Sequence, residues 1–256
     1  MKYVLPVLVF VLGYSCKTVA QRLTVMSYNI HHGADKNEVD QLEQMATFIK
    51  SSGAELVGLQ EVDSVCTRSG NVDQMKKLAR LTGMHYAFAR HFAYQGGAYG
   101  MGILSKFPIR GVEVKRMTLL KSKNPSTAMI VATIAVKRKR HIKFAAAHFA
   151  LDDSSRWVQA RQVVEFLKEQ RLPVIFTGDL NATPDSKEIQ YLHRFFTSAD
   201  SKGTFTFPAP QAVKQIDYIL VSKPHLREVE KHAVPINDFS DHLPVQASLI
   251  INTHYE

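Results

Sequence analysis

Apolar and polar positions along the chain fall into two alternating rhythms. LTVMSYNI (23–30) alternates and is rich in strand formers, so it predicts a strand ending at Asn29. Val39, Leu42, Ala46 and Ile49 recur at helical spacing, and Ser51-Ser52-Gly53 closes that helix. AELVGLQEV (54–62) is a near-continuous apolar run, as expected of a strand buried on both faces, and it ends in Gln60-Glu61. NVDQMKKLARLTG (71–83) is a second amphipathic helix with a glycine stop. The middle is strand-like: MHYAFARHF, YGMGILSKFPI, then AMIVATIAV and HIKFAAAHF joined by the basic turn KRKR (137–140). SRWVQARQVVEFLKEQ (155–170) predicts a long helix and LPVIFTGDLNA a buried strand running into Gly178-Asp179. Residues 185–196 suit a short helix, and TFTFPAP, QIDYILVS and LPVQASLII read as strands. Strand–helix alternation followed by clustered strands predicts an α/β layered domain of sheets covered by helices. Each half carries a strand, a helix, and a strand ending in an acidic residue.

The N-terminus breaks both rhythms. Lys2 precedes YVLPVLVFVLGYS, an apolar run too short to span a bilayer as a helix. A positive start, a short apolar core and small residues describe a secretory signal peptide over residues 1–20, leaving 21–256 as one domain. Two processing routes stay open. Cleavage after Thr18-Val19-Ala20 gives plain secretion; cleavage at Ser15 with a lipid on Cys16 gives an anchored lipoprotein. Gly13 stands where the usual lipoprotein box has Leu, which tilts the reading towards plain secretion into the periplasm or the extracellular space. Cys66 then has no partner for an internal disulfide and reads as a small buried hydrophobe.

Composition adds a direction. Of 256 residues, 45% are hydrophobic and 21% charged, which suits a globular protein with a core of its own and excludes a disordered chain. The net charge of +9 favours acidic partners such as nucleic acid, small phosphorylated molecules or anionic headgroups. Simple solubility explains the same charge equally well.

Chemistry gathers at strand ends. Asn29, Glu61, His148, Asp179 with Asn181, Asp217, and Asp241 with His242 each follow an apolar run. Any one of them reads as a cap or turn; together they place polar groups repeatedly beside a core that penalises burial. Such a set suits a hard cation, because Mg²⁺ takes oxygen ligands and uses one or two carboxylates plus substrate phosphates. Glu61 and Asp241 are acceptable ligands and Asn29 offers a carbonyl oxygen. Asp179 and Asn181 suit a water and a phosphate oxygen, His148 and His242 suit proton transfer or donation, and Asp217 suits holding the His242 tautomer.

The ordered motifs SYNI, LQEV, AHF, GDLNATP, IDYILVS and SDHLPV resemble the exonuclease–endonuclease–phosphatase family over essentially all of 22–252. GDLN with SDHLPV is specific; LQEV alone is weak. The resemblance implies the deoxyribonuclease-I-like fold, a four-layer α/β/β/α sandwich of two mixed β-sheets. It implies a metal-dependent phosphoric ester hydrolase in which Glu61 is principal metal ligand with Asn29 and Asp241 close by. Asp179 would align or deprotonate the attacking water and Asn181 would bind the scissile phosphate. His242, oriented by Asp217, would contact the phosphoryl oxygen, and His148 would assist at the phosphate or leaving group. The cofactor it implies is Mg²⁺, with Mn²⁺ or Ca²⁺ as alternatives.

The departures are as informative. His31 stands where abasic-site endonucleases carry an Asp, AHF replaces the commoner Thr-His-Leu, and Met101 replaces an Asn after Tyr-Gly. TRSGNVDQ (67–74) with YNIHHG looks most like a bacterial secreted hydrolase branch near the sphingomyelinase-like and general phosphodiesterase members.

Several residues invite competing readings. His31-His32 suggests zinc, but adjacent histidines do not easily face one ion, so a loop role with His31 near the phosphate is expected. The KRKR turn is expected to be a solvated tip away from the active face. Arg68 and Tyr99, in loops beside motif strands, are the expected substrate contacts, Trp157 is expected to pack, and Phe205 and Phe207 are expected in the core, with a place lining the cleft as the alternative. A monomeric phosphodiesterase acting on a lipid headgroup or another small phosphodiester is favoured over a secreted nuclease, because no long basic or aromatic insertion follows a groove. An inactive binding module on the same fold ranks last, since the acidic and histidine motifs are intact.

Overall fold

A computed structural model describes residues 19–124 and 126–253. Cys16, the apolar run before it and most of the expected signal peptide lie outside the described residues.

The chain forms two six-stranded sheets, each mixed. Sheet 1 contains β1 (Val19–Asn29), β2 (Leu56–Ser64), β3 (His85–Tyr94), β4 (Gly97–Ser105), β11 (Leu226–Ala233) and β12 (Val245–Thr253), in the order β11-β12-β1-β2-β4-β3. Sheet 2 contains β5 (Ile109–Thr118), β6 (Ser126–Lys137), β7 (Arg140–His148), β8 (Val174–Asp179), β9 (Phe196–Ser198) and β10 (Asp217–Ser222), in the order β5-β6-β7-β8-β10-β9. Each sheet has one parallel pair at its centre, β1 with β2 and β7 with β8, and the remaining pairs are antiparallel. The crossovers carry α1 (Leu42–Ser51) and α3 (Asp153–Leu167), while α2 (Gln74–Thr82) and α4 (Lys187–Leu192) complete the outer layers.

Three apolar clusters account for the layering. Leu23, Val25, Leu56, Ile130, Phe144, Ile175 and Ile219 pack between the sheets. Met26, Leu59, Met45, Ile49 and Leu78 join sheet 1 to α1 and α2, and Phe176, Tyr218, Val163 and Ile189 join sheet 2 to α3 and α4. The result is the four-layer sandwich expected from the motifs. The central strands are apolar on both sides because a layer covers each face. Gly58 lets the sheets meet closely under the strand ends: a Cβ there would lie 2.0 Å from Thr177 Oγ1 on β8.

Differences from the sequence reading have local causes. β1 begins at Val19 rather than Leu23, because β12 runs on to Thr253 and pairs with it. Val39, expected on a helix face, is exposed and precedes α1. β2 does not stop at Gln60-Glu61 but continues to Ser64 through a bulge between Leu59 and Val62. TFTFPAP is not a strand: Phe207 makes only an isolated bridge to Lys214, Phe205 is exposed and Phe207 half-buried, so neither is a core residue. The KRKR turn forms as expected, except that Arg140 is buried. Trp157 packs edge-on against Tyr191. Strands β5, β9 and β11 went unread: β5 and β11 bury few side chains and β9 has three residues, so their periodicity is faint.

Candidate active site

The strand register gathers the polar ends at one edge of the sandwich. Asn29 aligns with Gln60 across β1 and β2, His148 with Asp179 across β7 and β8, and Asp217 with Asp179 across β10 and β8. The loop 237–242 leads into β12 and brings Asp241 and His242 to the same edge. Ser240 Oγ donates to Asn29 O at 2.8 Å, Tyr28 Oη to Asn237 Oδ1 at 3.2 Å, and Ala209 N to Asp241 O at 2.7 Å. Polar groups from both sheets thus line a cavity of about 950 Å³ that includes Glu61, Tyr99, His148, Asp179, Asn181 and Asp241, with His242 beside them.

Two of these residues need an unusual backbone. Glu61 sits at φ +58 in the β2 bulge and Asn181 at φ +47 just past β8. The left-handed region is disfavoured for Glu and more readily adopted by Asn, and such outliers concentrate where side chains must be aimed. The bulge inserts a residue and turns the half-exposed Glu61 towards the cleft, whereas its neighbours Gln60 and Val62 are buried.

The centre of the site is a buried charge chain. His242 Nδ1 lies 3.0 Å from Asp217 Oδ2, and His242 Nε2 lies 3.6 Å from Asp179 Oδ2. All three residues are at least nine-tenths buried. Burial alone lowers the imidazole pKa, but Asp217, Asp179 and Asp241 more than offset it and raise His242 to about 10. His242 is therefore an imidazolium at neutral pH, with Nδ1–H donated to Asp217. Burial pushes the Asp217 carboxyl up while the His242 charge pulls it down. Nε2–H has no acceptor within hydrogen-bond range at Asp179. Thr206 Oγ1 supports Asp217 from behind by accepting its backbone N–H, and the Phe207 ring lies 4.6 Å from the imidazole.

Asp179 is held from several sides. Asn29 Nδ2 donates to its Oδ2 at 3.1 Å, the Asn181 backbone N–H donates to its Oδ1 at 2.9 Å, and His148 Nε2 stands 3.4 Å away. Asn181 Nδ2 donates to Phe149 O at 2.9 Å and lies 3.1 Å from His148 Nε2. Asn29 differs from its expected part. Its Nδ2 bridges Asp179 and Glu61 Oε1, and its Oδ1 accepts the His31 backbone N–H. In this arrangement Asn29 links the two carboxylates, with its side-chain oxygen taken by the chain.

The donor set at the rim fits a hard divalent cation. Glu61 Oε2 and Asp241 Oδ2 have no protein donor among the described residues, and both side chains face the cavity. Two such carboxylates leave room for water and substrate oxygen in an octahedral shell.

Two expected substrate contacts are not in the cleft. Arg68 forks onto the fully buried Asp63, Nε to Oδ2 and Nη2 to Oδ1, each at 2.8 Å, and its guanidinium stacks over Tyr94 and Tyr99. A buried carboxylate demands a fixed partner, which is why Arg68 stays there. His31 does not line the cavity but turns towards Glu38 and Asp241. Tyr99 does line it, and burial with the Glu61 charge nearby pushes its phenol well above the ordinary value.

One cleft residue was missed by the sequence reading. His91 is buried, lines the cavity, and accepts the Ala128 N–H through Nδ1 at 2.8 Å. Its proton is thereby placed on Nε2, which has no partner among the described residues. Burial, with His148 and Arg116 nearby, holds its pKa well below 6.5, so the ring is a neutral donor. The available signal was a histidine on the buried face of MHYAFARHF, in line with Ala87 and Ala89.

Comparisons with known proteins agree with this fold. The profile of the Endonuclease/Exonuclease/phosphatase family matches residues 26–242. The uncharacterized protein YbhP of Escherichia coli strain K12 is 24% identical over 243 residues, spanning 88% of this chain and 95% of that protein. A mannosyl-6-phosphatase of Bacteroides thetaiotaomicron VPI-5482 superposes with a TM-score of 0.69 at 18% identity, covering 89% of this chain and 99% of that one. ANGEL2, a 2',3'-cyclic phosphatase, superposes with a TM-score of 0.71 at 14% identity, covering 92% and 99%.

Proposed function

The chain belongs to the Endonuclease/Exonuclease/phosphatase family, a family of phosphoric ester hydrolases, and on that premise we propose that it hydrolyses a compact phosphodiester with divalent-metal assistance. The observation that carries this reading is the buried Asp217–His242–Asp179 chain opening onto a cavity whose rim offers the free carboxylate oxygens of Glu61 and Asp241.

Glu61 and Asp241 would hold a divalent cation, which would supply charge neutralisation at phosphorus. The residues of the chain do the rest. Asp179, pinned by Asn29 and Asn181, orients the attacking water and accepts its proton; a carboxylate has lone pairs enough for both duties. Because His242 is already protonated, it is a donor rather than the base, and its Nε2–H meets a phosphoryl oxygen. Asp217 keeps that charge in place. Asn181 and His148 hold the phosphate and its leaving oxygen, and Tyr99 and His91 offer neutral donors on the cavity wall. Positioning and electrostatics of this kind are what in-line attack on phosphorus requires.

The choice of a diester follows from charge. Close to the reacting centre the carboxylates of Glu61, Asp179, Asp217 and Asp241 outweigh the one imidazolium, while the cations of the cavity lie on its outer lining. A monoanionic diester meets less repulsion there than a dianionic monoester. The exposed Lys121 and Lys214 on the cavity lining favour an anionic group elsewhere on the substrate. The net charge of +9 favours a nuclease as the second reading. Export, with or without a lipid on Cys16, rests on the N-terminal sequence and is tested by the mass of the mature N-terminal peptide.

A substrate panel with Mg²⁺ tests the activity: plasmid DNA, RNA, sphingomyelin, phosphoinositides, and chromogenic mono- and diesters. Faster turnover of small diesters than of polynucleotides or monoesters supports the proposal, and the reverse order replaces it. Glu61→Ala is expected to abolish metal-dependent hydrolysis with the fold intact.

A further inference from the structure

His31, His32 and Glu38 form a second cluster of ligand-type side chains beside the active cleft. Side chains of adjacent residues normally diverge, so sequence alone gives no reason for these two imidazoles to meet. They meet because His31 and His32 both adopt left-handed backbone, φ +42 and +45, and Glu38 does the same at φ +63. Three non-glycine residues in this region within one short loop are a costly arrangement that the surrounding contacts must enforce.

The rings are 4.4 Å apart at 77°, and both point at one carboxylate. His32 Nε2 lies 2.8 Å from Glu38 Oε2, and His31 Nε2 lies 3.5 Å from Glu38 Oε1. One ligand atom from each of the three residues falls within 4.8 Å of the others. The loop is braced: Gln74 Nε2 donates to His32 O, Gln41 N to Gly33 O at 2.8 Å, and Ala34 bridges Asp40.

We propose that His31, His32 and Glu38 bind a borderline divalent ion of the Zn²⁺ class, separate from the oxygen-donor site at Glu61 and Asp241. Two imidazole nitrogens and a carboxylate are a donor set that suits zinc and not magnesium. Zinc–ligand bonds near 2.0–2.1 Å in a tetrahedron separate the ligand atoms by roughly 3.3 Å, and the imidazoles approach the two oxygens of Glu38 at 2.8 and 3.5 Å. Beside the cluster lies a cavity of about 310 Å³ lined by His32, Glu38, Asp40, Arg68 and Lys77, roomy enough for a water or small ligand as the fourth donor. His31 Nδ1 lies 3.7 Å from Asp241 Oδ1. One imidazole thus stands between the new site and a proposed ligand of the catalytic ion, as carboxylates behind metal-bound histidines do.

The competing account is a simple His32–Glu38 hydrogen bond that fastens the loop. Metal-stripped protein titrated with Co²⁺ in excess Mg²⁺ separates the two, read by visible absorption and bound cobalt per chain. The proposal expects one nitrogen-ligated Co²⁺ per chain in wild type and in Glu61→Gln. Glu38→Gln and His32→Gln should each weaken it at least about tenfold, since losing a direct ligand costs no less than losing its support. Thermal unfolding of the metal-free variants checks their fold. Absence of Co²⁺ binding in wild type, unchanged binding in Glu38→Gln and His32→Gln, or loss in Glu61→Gln would overturn it. The readout is metal binding rather than hydrolysis, so it stands or falls apart from the phosphodiester reading.

Discussion

Both sheets bury carboxylates at their strand ends, and they neutralise them by different means. On sheet 1, the fully buried Asp63 is clamped by both arms of Arg68, a cation that never gives up its proton. On sheet 2, the buried Asp179 and Asp217 face His242, a cation whose charge exists only because those carboxylates hold it. The first pairing is fixed and structural. The second can exchange a proton, and it opens onto the cavity. Sheet 1 contributes to the active edge through residues left half exposed instead, Glu61 and Asp241, whose free oxygens suit a metal. Burial with a fixed partner, burial with a titratable one, and partial exposure thus distinguish three kinds of acidic group along one edge, and the proposed function assigns proton chemistry to the second and cation binding to the third.

The sharpest way to break this comparison is to treat the two buried partners alike. Arg68→Ala leaves Asp63 as an uncompensated buried charge and should destabilise the fold by about 3–5 kcal/mol, measured by urea unfolding. A near-neutral stability with a raised KM would show that Arg68 serves the substrate after all.

Asp217→Asn should instead leave a folded protein whose kcat falls roughly 10- to 100-fold, as loss of an orienting partner does. It also tests the charge on His242. A group with its folded pKa raised to about 10 contributes stability fully present below its unfolded value near 6.5. That stability is lost as pH rises through about 10. Wild-type Tm should therefore fall between pH 7 and pH 10 in step with an alkaline limb in kcat, and Asp217→Asn should move both limbs to lower pH. Superimposable profiles for the two proteins would remove His242 from its proposed part.

The smallest effect belongs to the exposed rim. Lys121→Ala and Lys214→Ala should each raise KM by no more than about fivefold at low salt, with kcat unchanged, because exposed ion pairs contribute about 1 kcal/mol or less. The difference from wild type should vanish at high salt.

Much of this edge was legible in the sequence, because an apolar run that stops at a carboxylate is visible without coordinates. Asp179, Asp217, Asp241 and His242 were found that way, and the strand pairing brings them to one place. What escaped depended on geometry that periodicity does not encode. The β2 bulge gives Glu61 its direction and hid the continuation of the strand to Ser64. Arg68 looked like a free loop cation because nothing in the sequence says that Asp63, five residues earlier, is wholly buried. Phe207 looked like core, yet it packs on the His242 ring from a loop. His31 and His32 were expected to diverge, and only a left-handed backbone at both turns them together.

The division of labour is tested most directly by titrating Mg²⁺ into Glu61→Gln and Asp179→Asn side by side, with hydrolysis of a chromogenic phosphodiester as the readout. Glu61→Gln should raise the Mg²⁺ concentration for half-activation at least about tenfold and recover rate at high metal. Asp179→Asn should keep the wild-type half-activation and lose roughly 10²- to 10⁴-fold in kcat at saturating metal. If Asp179→Asn is rescued by metal, or Glu61→Gln lowers kcat without moving the metal requirement, the assignment of metal to one sheet and proton transfer to the other is wrong.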